Sequence, residues 1–224
     1  MHERVVDVLA IQPGERVLDI GTGTGAVAIR AARAGAEVVG LDVAAHQIAK
    51  ARTAVADAGV DVELVEGDCQ EMAFADARFD VVASVFGFIF APDHTRSGAE
   101  AGRVCRSGGR LALTAWTYDE FSFVGDRLGR PYPPGDDARE WSNEAHARER
   151  LPDFDLRFEA GEWVVEEESA DALWALFSES VPPIKLWLEQ VGPAEREEAK
   201  RAYCAVFPDG VLRRDYVLIL GTKR

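Results

Sequence analysis

The sequence predicts an α/β fold on a parallel sheet, and three observations predict it. Short β-branched runs alternate with longer amphipathic stretches through the first half of the chain, the rhythm of βαβ units. A glycine-rich turn, Gly21-Thr22-Gly23-Thr24-Gly25, lies where the first run gives way to a helical stretch. Phe79 to Val85 is apolar at nearly every position, as a strand covered on both faces requires.

Taken in order, Glu3 to Ile11 reads as an opening helix stopped by Pro13-Gly14, and Arg16 to Ile20 as the first strand. Gly25 to Ala34 is an alanine-rich helix ending at Gly35, and Glu37 to Leu41 is a second strand. From Ala44 to Ala58, Ile48, Ala51, Val55 and Ala58 recur at helical spacing, with Gly59 as the C-cap. Val62 to Val65 is strand three and Phe79 to Val85 strand four. A helix then runs to about Arg106, and Gly108-Gly109 turns into strand five, Arg110 to Ala115.

Beyond that point the rhythm changes. Trp116 to Arg150 reads as loop plus a short helix, and Phe154 to Glu168 as extended chain. Helical patterns cover Ala170 to Ser180, and Ile184 to Val206 with a break at Gly192-Pro193, before a last strand at Tyr216 to Leu220. These helices are expected to form a cap inserted before the last strand. The whole is expected to be one domain: a cofactor core over 1–118, a substrate-side segment and cap over 119–210, and a final strand over 211–224.

Composition narrows the function. Of 224 residues 47% are hydrophobic, enough for a core, and no apolar run approaches the roughly 18–20 residues that span a bilayer. The first residues lack the basic and apolar regions of a signal peptide, so a cytoplasmic location is expected. A net charge of −14 disfavours a nucleic-acid partner, because the phosphate backbone would be repelled. Three scattered cysteines make neither a disulfide framework nor a zinc site.

The chemistry rests on the glycine turn. Glycines let a ligand approach the backbone, and the amides opening the next helix can face an anionic group. Gly21-x-Gly23-x-x-Ala26 fits a dinucleotide fingerprint, with Asp42 about 20 residues on to hold ribose hydroxyls. Three features favour S-adenosylmethionine instead. Asp19, two residues before Gly21, suits an amino group and would repel a pyrophosphate. Glu66-Gly67-Asp68-Cys69 ends strand three with a further acid, where Asp68 and the Cys69 amide can meet an adenine edge. The second half also lacks another mononucleotide-binding repeat.

These motifs in order (VLDIGTGTG, GLD ending at Asp42, EGDCQEMAFADARFDVVAS and RVCRSGGRLAL) resemble those of class I S-adenosylmethionine-dependent methyltransferases. The closest likeness is to the small-molecule group that includes the ubiquinone/menaquinone biosynthesis methyltransferases. The resemblance implies a Rossmann-like, mostly parallel seven-stranded sheet of order 3214576, helices on both faces and an antiparallel last strand. It implies that Gly21, Thr22, Gly23 and Gly25 cradle the methionine moiety and that Asp19 supports its amino end. Asp42 would bind the ribose with Val43 against adenine, Asp68 and Cys69 would read the adenine edge, and Ser84 and Val85 would line the sulfonium region. The product would be S-adenosyl-L-homocysteine. Two departures stand out: Ser107 replaces the usual proline before strand five, and only one helix precedes the first strand, so closure over the cofactor comes from elsewhere or from a longer N-terminus.

Methyl transfer from a sulfonium requires positioning more than a catalytic side chain. His94, after strand four, is the candidate base, because that position faces the substrate crevice of an open α/β sheet. Phe86, Phe88, Trp116 and Tyr118 are candidate pocket residues for a small, apolar or aromatic substrate, with Tyr132, Trp141, Trp174 and Trp187 adding aromatic area. His2, His46 and His146 read as surface groups, and Glu166-Glu167-Glu168 as a solvated strand end, so no metal is expected. The alternatives are a non-catalytic S-adenosylmethionine-binding module and an NAD-dependent oxidoreductase, the latter disfavoured by the lack of a Tyr-x-x-x-Lys dyad. Whether the chain is a monomer or a homodimer is left open.

Overall fold

The computed structural model describes residues 2–117, 137–180 and 182–224. Its seven strands are β1 (Arg16–Ile20), β2 (Glu37–Asp42), β3 (Glu63–Glu66), β4 (Phe79–Val85), β5 (Cys105–Trp116), β6 (Phe154–Glu166) and β7 (Val211–Lys223). They form one sheet in the order β3-β2-β1-β4-β5-β7-β6, as the resemblance implies. Strands β1 to β5 pair in parallel, and β7 lies antiparallel to β5, with Trp116 opposite Tyr216. The chain winds outward from β1 to β3 and then returns to place β4 on the other side of β1. The crevice between the carboxyl ends of β1 and β4 is therefore the switch point where such sheets bind ligands.

Helices α1 (His2–Leu9), α2 (Ala26–Arg33), α3 (Ala45–Ala58) and α4 (His94–Val104) connect or flank the parallel strands. Residues Leu18, Ile20, Val39, Leu41, Val82, Leu111 and Leu113 are buried in one core, which explains why these strands read as apolar runs. β5 begins five residues earlier than the pattern suggests: Phe79 faces Cys105 but Val81 faces Arg110, so a register irregularity absorbs the intervening turn. Ser107 is exposed there, which is why proline is dispensable at that position.

The amino ends of the strands are tied by charge. Asp80, second in β4, accepts from the Arg16 amide at 2.7 Å, Arg16 Nε at 3.2 Å and Arg106 Nε at 2.6 Å. Burial pushes its carboxyl up, but the Arg106 and Arg16 guanidinium groups outweigh that and hold it down at about 2. Beside it Arg110 reaches Glu15 at 2.6 Å and the Leu9 carbonyl at 2.9 Å.

After β5 come a 3₁₀ turn (Ala138–Ser142), α5 (Glu144–Arg150), β6, and then α6 (Ala170–Ser180), α7 (Pro182–Gln190) and α8 (Pro193–Val206) before β7. The described residues fall into two compact units, 2–117 with 137–161 and 216–224, and 162–180 with 182–215. The second has its own core of Leu173, Phe177, Ile184, Tyr203 and Leu212, with Trp174 packed against it. Its three helices are inserted between β6 and β7, as the sequence suggests. No helix of the described residues is long and apolar enough to cross a membrane.

Candidate active site

Two acids organise the turn after β1. Asp19 is 1% exposed. Its Oδ2 accepts from Thr22 Oγ1 at 2.7 Å and from the Ala28 amide at 3.2 Å, so it fastens the loop to the first turn of α2. Burial drives its carboxyl up to about 7; the Thr22 and Ala28 hydrogen bonds oppose this, and the charge of Asp42 adds to it. Asp42, ending β2, accepts from the Gly23 amide through Oδ2 and from the Ala44 amide through Oδ1, each at 2.9 Å. A backbone bond from Thr22 N to Leu41 O at 2.9 Å closes the same seam.

The glycines have separable reasons. Gly21 has φ +65°, and a Cβ there would stand 2.5 Å from the Gly87 Cα. The turn after β1 thus lies directly against the turn after β4, and Gly87 is as constrained as Gly21, since a Cβ on it would meet the Gly21 Cα at 2.6 Å. At Gly23, φ +56°, a Cβ would meet only the Gly21 carbonyl oxygen, at 4.0 Å. The front of the turn is therefore open at Gly23. Val43, beside Asp42, is 71% exposed, and α2 follows an N-cap, Gly25, that has no side chain to occupy its first amides, of which Ala28 donates to Asp19.

At the end of β3, Asp68 accepts from the Gln70 amide at 2.8 Å and from Gln70 Nε2, whose own Oε1 accepts from the Asp93 amide at 2.9 Å. The Cys69 thiol is half-buried and pushed up to about 12 by burial and then by Asp68, so it is a neutral neighbour rather than a nucleophile.

The end of β4 departs in part from expectation. Ser84 is buried, and its hydroxyl donates to the Ile20 carbonyl at 2.6 Å and accepts from the Phe88 amide at 2.9 Å. That side chain joins β1 to the turn after β4. Phe88, expected in the pocket, is fully buried and packs edge-on against Trp141, itself fully buried. Phe86 fits the expectation better. It is half-buried with φ +56°, its amide donates to Thr114 Oγ1 at 3.0 Å, and its ring stacks on Trp116 at 3.4 Å and 4°. Tyr216 closes the group edge-on to Phe86 at 6.0 Å. Val85 is half-buried beside them, while Tyr118 and Tyr132 lie outside the described residues.

His94, the expected base, lies enclosed. It is fully buried at the start of α4, with Nδ1 3.0 Å from Nε2 of His146 and its ring 5.0 Å from that of Trp141. His146, expected at the surface, is largely enclosed: only 13% of its side chain is exposed. His2 and His46 are exposed, as expected.

The reading from sequence missed Gly87, Thr114, Gln70 and Tyr216. Gly87 had a signal, a lone glycine between two phenylalanines after a buried strand. The other three act through pairings across strands and loops that spacing does not reveal.

A glycine turn at the switch point of a 3214576 sheet, gripped by Asp19 and Asp42 at the ends of β1 and β2, is a Rossmann-like arrangement. The profile of the family described as "Methyltransferase domain" matches residues 18–113. An uncharacterized protein of Mycobacterium tuberculosis is 30% identical over 98% of this chain and 85% of its own length. Demethylmenaquinone methyltransferase of Thermus thermophilus is 38% identical over 50% of this chain and 52% of its own. Among solved structures, the YcgJ protein of Bacillus subtilis superposes with a TM-score of 0.71 at 19% identity, covering 100% of this chain and 97% of that one. The chain belongs to the class I S-adenosylmethionine-dependent methyltransferases. It is an enzyme of that class, and S-adenosylmethionine is its cofactor.

Proposed function

We propose that the chain methylates an O, N or C atom of a small, apolar or aromatic metabolite by in-line displacement. The observation that carries the substrate class is the stacked pair Phe86–Trp116, at the carboxyl ends of β4 and β5, with the Phe86 backbone in the left-handed region. A non-glycine residue held there costs about 1–3 kcal/mol and clusters at working sites. Stacked rings at the mouth of a switch-point crevice favour a flat or greasy partner.

In this proposal residues 1–118 hold the cofactor, 119–210 supply the substrate side and 211–224 complete the sheet of one domain. Gly23 and the first amides of α2 receive the carboxylate end of the methionine moiety, and Asp42 takes the ribose hydroxyls while keeping the loop amide. Val43 covers the adenine, whose edge is read by Asp68 and the Cys69 amide. Asp19 steadies the amino end through the loop it fastens; a neighbouring ammonium would favour its ionised form against the cost of burial. Ser84 contributes by holding β1 and the Gly87 turn in register, and Val85 by its place at the end of β4. When bound, S-adenosylmethionine supplies a methyl group already activated by its sulfonium. The protein's remaining work is to orient the acceptor and exclude water, which Phe86 and Trp116 do, and no side-chain base is assigned.

The test is to incubate the protein with methyl-labelled S-adenosylmethionine and fractionated metabolites. Label should enter an apolar or aromatic small molecule, and Trp116→Ala should raise KM for it more than it lowers kcat. Tight cofactor binding with no acceptor in any fraction would instead favour a non-catalytic binding module.

A further inference from the structure

We propose that His94, Glu140 and His146 form a binding site for a zinc-class divalent cation, which clips the segment 138–150 onto α4. One ligand atom from each residue lies within 4.8 Å of the other two, and this trio is the metal-capable cluster found among the described residues. His94 Nδ1 is 3.0 Å from His146 Nε2 and 4.0 Å from Glu140 Oε2. Tetrahedral zinc with ligands at about 2.0–2.1 Å sets neighbouring ligand atoms roughly 3.3–3.4 Å apart. The imidazoles need part by only a few tenths of an ångström, and Glu140, the solvent-facing member, can swing in.

Three short elements present these groups, and each start is fixed by its own cap. Asp93 accepts from the Arg96 amide before His94, Asp137 from the Arg139 amide before Glu140, and Asn143 from the Ala145 amide before His146. The ligands are therefore preorganised, which lowers the entropic cost of gathering them. Two imidazoles and a carboxylate form a borderline donor set suited to zinc, cobalt or nickel; magnesium and calcium prefer oxygen alone. Trp141 supplies the apolar wall, its ring 5.0 Å from that of His94 and 5.7 Å from that of His146, while its other contact, Phe88, belongs to the turn after β4. A low-polarity surround of this kind strengthens metal–ligand bonds. With three protein ligands, the fourth position falls to water. The role is structural: the cation holds the chain that follows β5 against the turn that carries Gly87 and Phe88.

The experiment uses the full chain, treated with chelator and titrated with zinc or cobalt chloride alone. One equivalent should bind by calorimetry, the cobalt form should show visible d–d bands, and the metal should raise Tm. Glu140→Gln, at an exposed side chain, and His146→Gln should each weaken zinc binding at least about tenfold, or about 1.4 kcal/mol. Both should leave the far-UV spectrum and S-adenosylmethionine affinity unchanged, so the outcome is separable from that of the methyltransferase site. Absence of saturable binding, or equal affinity in wild type and both variants, would overturn the proposal.

Discussion

The two ends of the sheet treat their acids in opposite ways. At the amino ends Asp80 sits between Arg16 and Arg106 and is held down at about 2, and Glu15 is lowered by Arg110. At the carboxyl ends Asp19 is enclosed, answered by a hydroxyl and an amide rather than a guanidinium, and is pushed up to about 7. The first arrangement is satisfied within the protein and contributes stability. The second costs stability, and in the proposed function a ligand's ammonium would complete its charge and turn that cost into affinity. Stability and function are thus divided along the strand direction, with the buried apolar strands between.

The largest effect should come from Gly21→Ala. A methyl group 2.5 Å from the Gly87 Cα, on a left-handed backbone, should cost about 2–3 kcal/mol of stability. It should also abolish measurable cofactor binding; calorimetry and thermal unfolding check both, and a variant that binds normally would show that the two turns need not touch. Next, Asp42→Ala should weaken S-adenosylmethionine binding at least about tenfold, about 1.4 kcal/mol, since it removes both the ribose acceptor and the anchor of the Gly23 amide. NAD should show no binding in the same titration.

The opposite end of the sheet should respond without touching affinity. Asp80→Asn should lower stability by about 1 kcal/mol at neutral pH, because its arginine partners are partly exposed, and leave cofactor binding alone. Its folded-state value is depressed below 3.8, so wild type should lose this contribution as pH falls from 3.8 through about 2, and the variant should not. The last effect is a change of slope. Asp19 is raised from 3.8 to about 7, so between those values the unfolded chain ionises first and wild-type stability falls as pH rises, levelling above about 7. Asp19→Asn should flatten that fall in urea unfolding series. It should also remove the rise in cofactor affinity that ionisation of Asp19 gives wild type through the same range.

How much of this was legible in the sequence follows from what each feature depends on. Strands β1 and β4 read with their observed bounds because burial on both faces makes them continuous apolar runs. β7 is longer than read, from Val211 to Lys223, because Arg213 and Asp215 alternate with buried Leu212 and Tyr216 and so hide a half-exposed strand among charges. The glycine turn and Asp42 were legible because strand, turn and helix put them side by side at short range. Asp19 was visible as a site acid, but not the inward use of its Oδ2, which depends on where Ala28 folds back. The meeting of His94 with Glu140 and His146 was hidden, since a separation of some fifty residues carries no local pattern. The burial of His146 was masked in turn by the charged stretch around it.

The most direct measurement is a crystal structure of the chain with S-adenosyl-L-homocysteine bound. The ribose hydroxyls should rest on Asp42 and the amino acid end should lie over Gly23 and the start of α2, with adenine between Val43 and Asp68. Density for the ligand away from the carboxyl ends of β1 and β2, or a ribose that leaves Asp42 untouched, would contradict the division of labour between the two ends of the sheet.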